Sequence, residues 1–138
     1  PGNVGTLLRS AGALGFHAVL LGPGCAAPFS PKTLRSSMGA AGRLPVLHTG
    51  DLPASLRVLR ERGVTCLAAA LYRSHPLEQA GTDFPGGLCV VIGSEGQGLQ
   101  DATVQACDAA VRIPMTDRVE SLNAGVAGSV LLWHFRGV

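Results

Sequence analysis

Short runs of apolar residues, separated by segments with helical periodicity, constrain the fold of this chain most strongly. The clearest run is 88–92, and similar runs occur at 17–21, 45–48, 64–71 and 109–113. Because these runs are largely apolar rather than alternately polar, they are typical of strands covered on both faces. Their alternation with helices predicts an α/β fold, in which a parallel sheet is flanked by helices on both faces.

Five segments have the periodicity or the start and stop signals of helices. They cover 3–14, 31–42, 51–62, 101–107 and 121–135. In the third segment leucines recur at helical spacing and arginines occupy the opposite side, which predicts a helix on the surface of the core. Asn3 and Ser121 are candidates for N-caps, because their side chains can accept bonds from free amide groups of a first turn.

The length and composition indicate one folded domain over residues 1–138. Of 138 residues, 46% are hydrophobic and 14% charged, which excludes a disordered, highly charged polymer. Aromatic residues make up only 4%, so the sequence offers few platforms for stacking on nucleic-acid bases. No strand precedes the first helix, and we therefore expect a first strand, and an N-terminal RNA-binding domain, upstream of Pro1.

The cysteines and histidines predict neither disulfides nor a metal site. The four cysteines contain no CxxC pair, which favours a reduced protein of the cytoplasm. The four histidines form no HxH or HExxH spacing, and we expect no metal. Residues 10–31 are uncharged but are interrupted by Gly22, Pro23, Gly24 and Pro28, so no membrane-spanning helix is predicted.

Two glycine-rich turns follow predicted strands. Residues 22–27 have a GxGxxA spacing, but no acidic residue lies about twenty positions on, which disfavours a dinucleotide site. Residues 93–98 hold three glycines, so a ligand can approach the main-chain amides closely. Glu95 within this turn would repel a phosphate. On these residues alone, a tight turn with an exposed glutamate remains open.

Two further segments carry polar residues in unusual surroundings. The helix that follows Asn123 begins with small residues, including Gly125 and Gly128, although glycine weakens a helix by about 1 kcal/mol. Such a cost is tolerated where another backbone or a ligand comes very close. In the first helix Arg9 stands among leucines and alanine, where a surface arginine with a buried stem is the alternative interpretation.

Together these segments resemble the SpoU/TrmH family of RNA ribose 2′-O-methyltransferases, in the SPOUT superfamily. Residues 3–11 are similar to the family's first motif and 91–98 to its second. Residues 113–115, followed by 121–123, are similar to its third. The motifs occur in the family's order and span nearly the whole chain. Asp117 and Ala124 depart from the residues that many members have, which affects local shape rather than chemistry.

The resemblance implies a deep C-terminal trefoil knot, a homodimer, and S-adenosylmethionine held by the knot loops. By the same resemblance, the cofactor-binding residues are Gly93, Glu95, Gly96, Ile113, Met115 and Leu122. The implied reaction site is formed by Asn3, Arg9, Glu95, Ser121 and Asn123.

The implied activity is methylation of a ribose 2′-hydroxyl in rRNA or tRNA. A guanidinium is a poor proton acceptor at neutral pH, so we expect Arg9 to donate hydrogen bonds to a phosphate or to the forming alkoxide. Arg35, Arg43 and Arg73 could contact phosphates, although solvated surface is the commoner role. A knotted base methyltransferase and a non-catalytic RNA- or nucleotide-binding module remain as alternatives.

Overall fold

The computed structural model describes residues 2–24, 43–94, 98–119 and 121–137. Within these ranges the helices are α1 (Gly2–Ala13), α2 (Leu52–Glu61), α3 (Asp101–Gln105) and α4 (Ala124–His134). The strands are β1 (Val19–Leu21), β2 (Val46–His48), β3 (Thr65–Ala69), β4 (His75–Pro76), β5 (Leu88–Val91) and β6 (Ala109–Arg112). Residues 77–80 form a 3₁₀ turn.

All five strands predicted from apolar runs are confirmed. The prediction was wrong around Pro76, where the two-residue strand β4 and the 3₁₀ turn replace an expected loop. A strand this short has no periodicity to recognise, and only its pairing with β6 defines it. The helix predicted at 31–42 lies outside the described residues.

Every strand pair in the described ranges is parallel, as predicted. The strands form two groups, a pair β1–β2 and a four-stranded sheet of order β4-β6-β3-β5. In the larger sheet Cys66 of β3 is the register partner of Cys89 of β5, and Leu67 that of Ala109 of β6. β3 and β6 are therefore the central strands, and their carboxyl ends lie at the same edge.

The larger sheet has a hydrophobic core on each face. Cys66 and Ala68 of β3 join one core, which includes Leu56 of α2. Leu67, between them in sequence, joins the other core, which includes Leu131 of α4. Successive residues of a strand point to opposite faces, so one apolar run supplies both cores. This arrangement confirms the predicted helices on both sides of the sheet.

The observed helix ends differ from both capping predictions. α2 begins after Asp51, whose carboxylate accepts a hydrogen bond of 3.1 Å from the Ala54 amide. The prediction for Asn3 was wrong, because α1 already includes it. The prediction for Ser121 was also wrong, because the N-cap of α4 is Asn123. The amide oxygen of Asn123 accepts bonds from two free amides at 2.9 and 3.2 Å, which its position just before the helix permits.

The small residues of α4 allow α1 to lie directly against it. A Cβ on Gly128 would come within 2.4 Å of Leu7 Cδ2 and 2.8 Å of Ile92 Cδ1. Ser10 lies one turn after Leu7 on α1, and its hydroxyl is 2.8 Å from that of Ser129, the residue after Gly128. The close approach inferred from these small residues is thus supplied by α1 and by the end of β5. No helix in the described ranges is long and apolar enough to cross a bilayer.

The three cysteines within the described residues are free thiols in or beside the core. Cys66 and Cys107 are buried and Cys89 is half-buried. The hydrogen bond with Cys66, together with burial, raises the pKa of the Cys89 thiol. Burial raises the pKa of Cys107 to about 11. Both groups are therefore protonated at neutral pH, as expected of cysteines that act as small hydrophobic residues.

Candidate active site

A large cavity lies where the carboxyl ends of β3, β5 and β6 meet. It has a volume of about 960 Å³. Residues that directly follow each of the three strands line it, among them Ala70, Ile92 and Ile113. Ligands of parallel α/β sheets bind at this edge, because the loops there are free to vary while the strands hold them in place. The fold therefore places a ligand-sized space beside two segments singled out in the sequence, the glycine turn at 93–98 and the proline-containing segment that begins at Ile113.

Gly93 forms one wall of the cavity through a tight turn. A Cβ at this position would lie 2.4 Å from the Gly98 carbonyl carbon and 2.6 Å from the Leu99 nitrogen, so only glycine fits. The Gly98 amide donates a bond of 2.9 Å to the Ser94 oxygen and closes the turn. Glu95 and Gly96, which were predicted to bind the cofactor, lie outside the described residues.

The opposite wall comes from the segment between β6 and α4. Ile113, Met115, Ser121 and Leu122 all line the cavity. Ile113 and Leu122 are half-buried, whereas Met115 and Ser121 are exposed at its rim. The structure thus brings four residues of the predicted third motif to the same cavity as Gly93. Their individual roles stay predictions.

Asn3 and Asn123 meet beside the cavity, at the first turn of α4. A Cβ on Gly125 would lie 3.0 Å from Asn3 Oδ1 and 3.1 Å from Asn123 Oδ1. Neither asparagine lines the cavity itself, but Ser121, Leu122 and Ala124 do. Two polar side chains from the two ends of the sequence are therefore held at one edge of the site.

Arg9 is not part of this cavity within the single chain. It lies on α1, six residues or about 9 Å along the helix axis from Asn3. Its side chain is exposed, on a helix whose Leu8 and Ala11 are buried. The structure therefore brings five of the predicted site residues to the cavity, places two asparagines next to them, and leaves Arg9 on the outer surface.

The sequence reasoning missed several residues that line the cavity. Tyr72 follows β3, and Asp101 and Gln105 belong to α3. Arg73, which the sequence suggested only as a possible phosphate contact, also lines the cavity. The lining combines these polar groups at the rim with apolar side chains deeper in, among them Leu99. The rule that ligands bind at the carboxyl ends of parallel strands would have pointed to Tyr72, which comes three residues after the end of β3.

Comparison with known proteins supports the motifs on which the site is built. The model of the SpoU rRNA Methylase family matches residues 1–133. A 23S rRNA (guanosine(2553)-2′-O)-methyltransferase of Bacillus subtilis is 36% identical over 137 residues, which is 99% of this chain and 54% of that protein. A 23S rRNA (guanosine-2′-O-)-methyltransferase of Vibrio vulnificus is 34% identical, over 97% of this chain and 53% of that protein.

A solved structure shows the same architecture. The AdoMet-bound rRNA methyltransferase of Sinorhizobium meliloti aligns with a TM-score of 0.91 and 29% identity, over 99% of this chain and 51% of that one. The chain thus spans about half the length of the relatives that it matches.

Proposed function

Because the chain belongs to the SpoU rRNA methylase family, we propose that it is the catalytic domain of an S-adenosylmethionine-dependent RNA ribose 2′-O-methyltransferase. One observation carries this proposal: the second and third motifs, which residues 99–112 separate in sequence, line one cavity of about 960 Å³ at the edge of a parallel sheet. The two 23S rRNA relatives support a 2′-hydroxyl as the acceptor. They also favour rRNA over tRNA as the substrate.

The residues of the cavity fit S-adenosylmethionine. Its volume lies within the usual range for small-molecule sites, about 300 to 1,000 Å³. Ile113 and Leu122 offer apolar contact for a purine ring, and the turn at Gly93 allows main-chain groups to come close. The carboxylate of Asp101 at the rim suits a cationic group. The AdoMet-bound neighbour supports this choice of cofactor.

When bound, S-adenosylmethionine would supply the methyl group of its sulfonium to the ribose oxygen; S-adenosylhomocysteine would leave, and the hydroxyl proton would pass to an RNA phosphate or another acceptor. The protein's part is to hold the hydroxyl in line and to stabilise the charge on its oxygen. Ser121 at the rim and Asn123 beside it would hydrogen-bond the ribose. Arg9 donates to a phosphate or to the oxygen, since a guanidinium does not accept a proton at neutral pH.

A homodimer explains how Arg9 reaches a site. Val126, Val130 and Trp133 form an apolar stripe on α4, and they are 51%, 39% and 57% exposed. Spacings of four and three residues place them on one face. A second copy seated on this stripe would also meet the exposed side of the neighbouring α1. We therefore assign Arg9 to the partner's cavity rather than to its own.

The trefoil knot is part of the same proposal. In the sheet order β4-β6-β3-β5, the chain leaves β6, crosses the carboxyl end of β3, and reaches Ile92 at the end of β5 through α4. The glycine turn at 93–98 follows Ile92 directly in sequence. A passage of the C-terminal segment through that loop is consistent with this path.

The test uses the purified protein, tritium-labelled S-adenosylmethionine, and rRNA and tRNA fractions from a strain that lacks the gene. Digestion of the product to nucleosides should give a single 2′-O-methylated nucleoside from rRNA. Methyl label on a base would identify the protein as a base methyltransferase. If calorimetry shows that the cofactor binds but no RNA fraction is labelled, the protein is a binding module without turnover.

A matched pair of glycine variants links the activity to the cavity. Gly93→Ala forces a methyl group into the backbone of residues 98–99 and should abolish cofactor binding. Gly50→Ala adds a methyl group where no atom lies within 4 Å, and should behave like the wild type. Equal cofactor affinity of the two variants would contradict the assignment of the cavity.

A further inference from the structure

The loop between β3 and β4 forms a wall of the cavity that the function proposed above does not use. Leu71, Tyr72 and Arg73 all line the cavity. Tyr72 is the only tyrosine of the chain, and its side chain is 82% exposed. An aromatic ring left almost entirely in solvent at the mouth of a cavity gains nothing from the core of its own chain. Its position is therefore one that a ligand can use.

This loop is fixed at both ends rather than loose. The hydroxyl of Ser74 donates a bond of 2.7 Å to the Ala70 oxygen and closes the three intervening residues into a turn. The guanidinium of Arg112, on β6, donates to the Ser74 oxygen. The Ala70 amide donates a bond of 3.0 Å to the Val111 oxygen and ties the other end to the same strand. The exposed ring thus stands on a framework that limits the entropy lost when a ligand binds.

The backbone of the loop carries local strain. Arg73 has φ 53°, the only positive φ of a non-glycine residue within the described ranges. A left-handed conformation costs such a residue about 1 kcal/mol or more and persists where the surroundings impose it. Here the bonds at Ala70 and Ser74 impose it. The turn leaves both Tyr72 and Arg73 exposed beside the cavity.

We propose that Tyr72 stacks on the base of the target nucleotide while Arg73 pairs with an adjacent phosphate. This inference rests on the proposed function and names how the RNA is held at that site. Proteins recognise RNA in single-stranded segments, where an unstacked base lies on an aromatic side chain and phosphates meet arginine. A ring at the cavity mouth holds the base outside while its ribose faces the interior. Tyr72 is the only aromatic residue among the described residues that line the cavity, so this ring carries the stacking.

The experiment compares Tyr72→Ala and Tyr72→Phe with Val58→Ala, a control on the exposed surface of α2. Stacking on one base contributes a factor of about 5 to 100 in affinity. Tyr72→Ala should therefore raise the KM for unmodified 23S rRNA transcript by about that factor. Tyr72→Phe keeps the ring and should stay within about twofold of wild type, as should Val58→Ala. Cofactor affinity by calorimetry should be unchanged in all three.

Arg73→Gly separates the charge from the backbone conformation. Glycine adopts φ 53° without strain, so the loop is kept while the guanidinium is lost. The variant should raise the KM for the transcript and reduce its dependence on salt concentration, because one phosphate contact is missing. An unchanged salt dependence would contradict the contact.

A second measurement keeps the test independent of turnover. RNA transcripts that contain 5-iodouridine are irradiated with the protein and S-adenosylhomocysteine, and the crosslinked peptide is sequenced by mass spectrometry. Attachment at Tyr72 supports the inference even if no RNA is methylated and the proposed function fails. The inference is overturned if Tyr72→Ala leaves both the KM and the crosslinking pattern unchanged. It is also overturned if that variant weakens cofactor binding instead, since the ring would then cover the cofactor.

Discussion

The helices α2 and α4 cover opposite faces of the same sheet, yet they differ in almost every respect. α2 buries Leu56 completely and exposes Arg57 and Arg60. Arg62, the C-cap of the helix, is exposed as well. α4 contains no Asp, Glu, Lys or Arg, and its last residue is His134. It nevertheless leaves Val126, Val130 and Trp133 exposed.

The difference shows what each helix is adapted to contact. The polar side of α2 faces water, and its periodicity therefore reports burial within one chain. A helix that is apolar all round is normally buried on all sides. In α4 one side meets the core, a second meets α1 through glycines and a serine, and a third is uncovered in the single chain. The uncovered side is the one that we assign to a second copy.

The largest expected effect comes from a charge on the exposed stripe of α4. Val130→Asp should convert the proposed dimer to a monomer and lower the proposed methyl transfer by more than about 100-fold, because a buried unpaired carboxylate costs several kcal/mol. Light scattering gives the molar mass, and circular dichroism shows whether the chain stays folded. Val58→Asp, at an exposed valine of α2, should change neither property. A dimeric mass of the Val130→Asp variant would contradict the assignment of the exposed stripe of α4 to a second copy.

The next effect concerns the side of α2 that faces the core. Leu56→Ala removes a side chain with 0% exposure and should lower the free energy of unfolding by about 2 to 5 kcal/mol. Urea unfolding followed by circular dichroism measures the loss. The variant should keep the molar mass of the wild type under native conditions, because α2 takes no part in the proposed dimer interface. Loss of the dimer without loss of stability would be the contrary result.

Smaller effects are expected from the N-caps of the two helices. Asp51→Ala and Asn123→Ala each remove a side chain that accepts hydrogen bonds from free amides, and each should cost about 1 kcal/mol of stability. Only Asn123→Ala should also reduce methyl transfer, since Asn123 lies beside Asn3 and the cavity. Asn123→Ser restores the cap and should recover stability without full activity. Equal activity of the two alanine variants would exclude a role for Asn123 in the reaction.

The smallest effect is the pH dependence of the core beneath α2. Burial raises the pKa of Cys107 from its ordinary value of 9.0 to about 11. A raised pKa means that the folded state favours the protonated thiol, so its contribution to stability is complete below pH 9 and is lost as the pH rises towards 11. The urea concentration at the unfolding midpoint should therefore decrease less between pH 8 and pH 10.5 for Cys107→Ala than for wild type. An equal decrease of the midpoint in both proteins would show that this thiol does not contribute to the pH dependence of stability.

The elements of the fold that have a strong local pattern could be predicted from the sequence. The run 88–92 became β5, and the leucine spacing of 51–62 became α2 with Asp51 as its cap. Elements defined by pairing could not be predicted. β4 exists because His75 and Pro76 pair with Val111 and Arg112 of β6. A strand of two residues is too short to show a periodic pattern in the sequence.

The site could be predicted in part for the same reason. Gly93, Ile113 and Leu122 belong to motifs that were visible in the sequence, and all three line the cavity. Tyr72 was passed over, because an exposed tyrosine after a strand has no distinguishing pattern. The placement of Arg9 outside the cavity was also not foreseeable. Spacing along a helix does not say which neighbour, in the same chain or another, its outer side will meet.

The amino-acid order by itself determined the parallel α/β class, the turn that only glycine can form at position 93, and the small residues that let α1 approach α4. These follow from backbone sterics and from the periodicity of apolar side chains, which act over a few neighbouring residues. Tertiary structure alone decided that segments about twenty residues apart enclose one cavity, that Tyr72 stands at its mouth, and that an apolar stripe remains uncovered. Those outcomes depend on the order in which strands lie side by side, and strand order is set by contacts between distant parts of the chain.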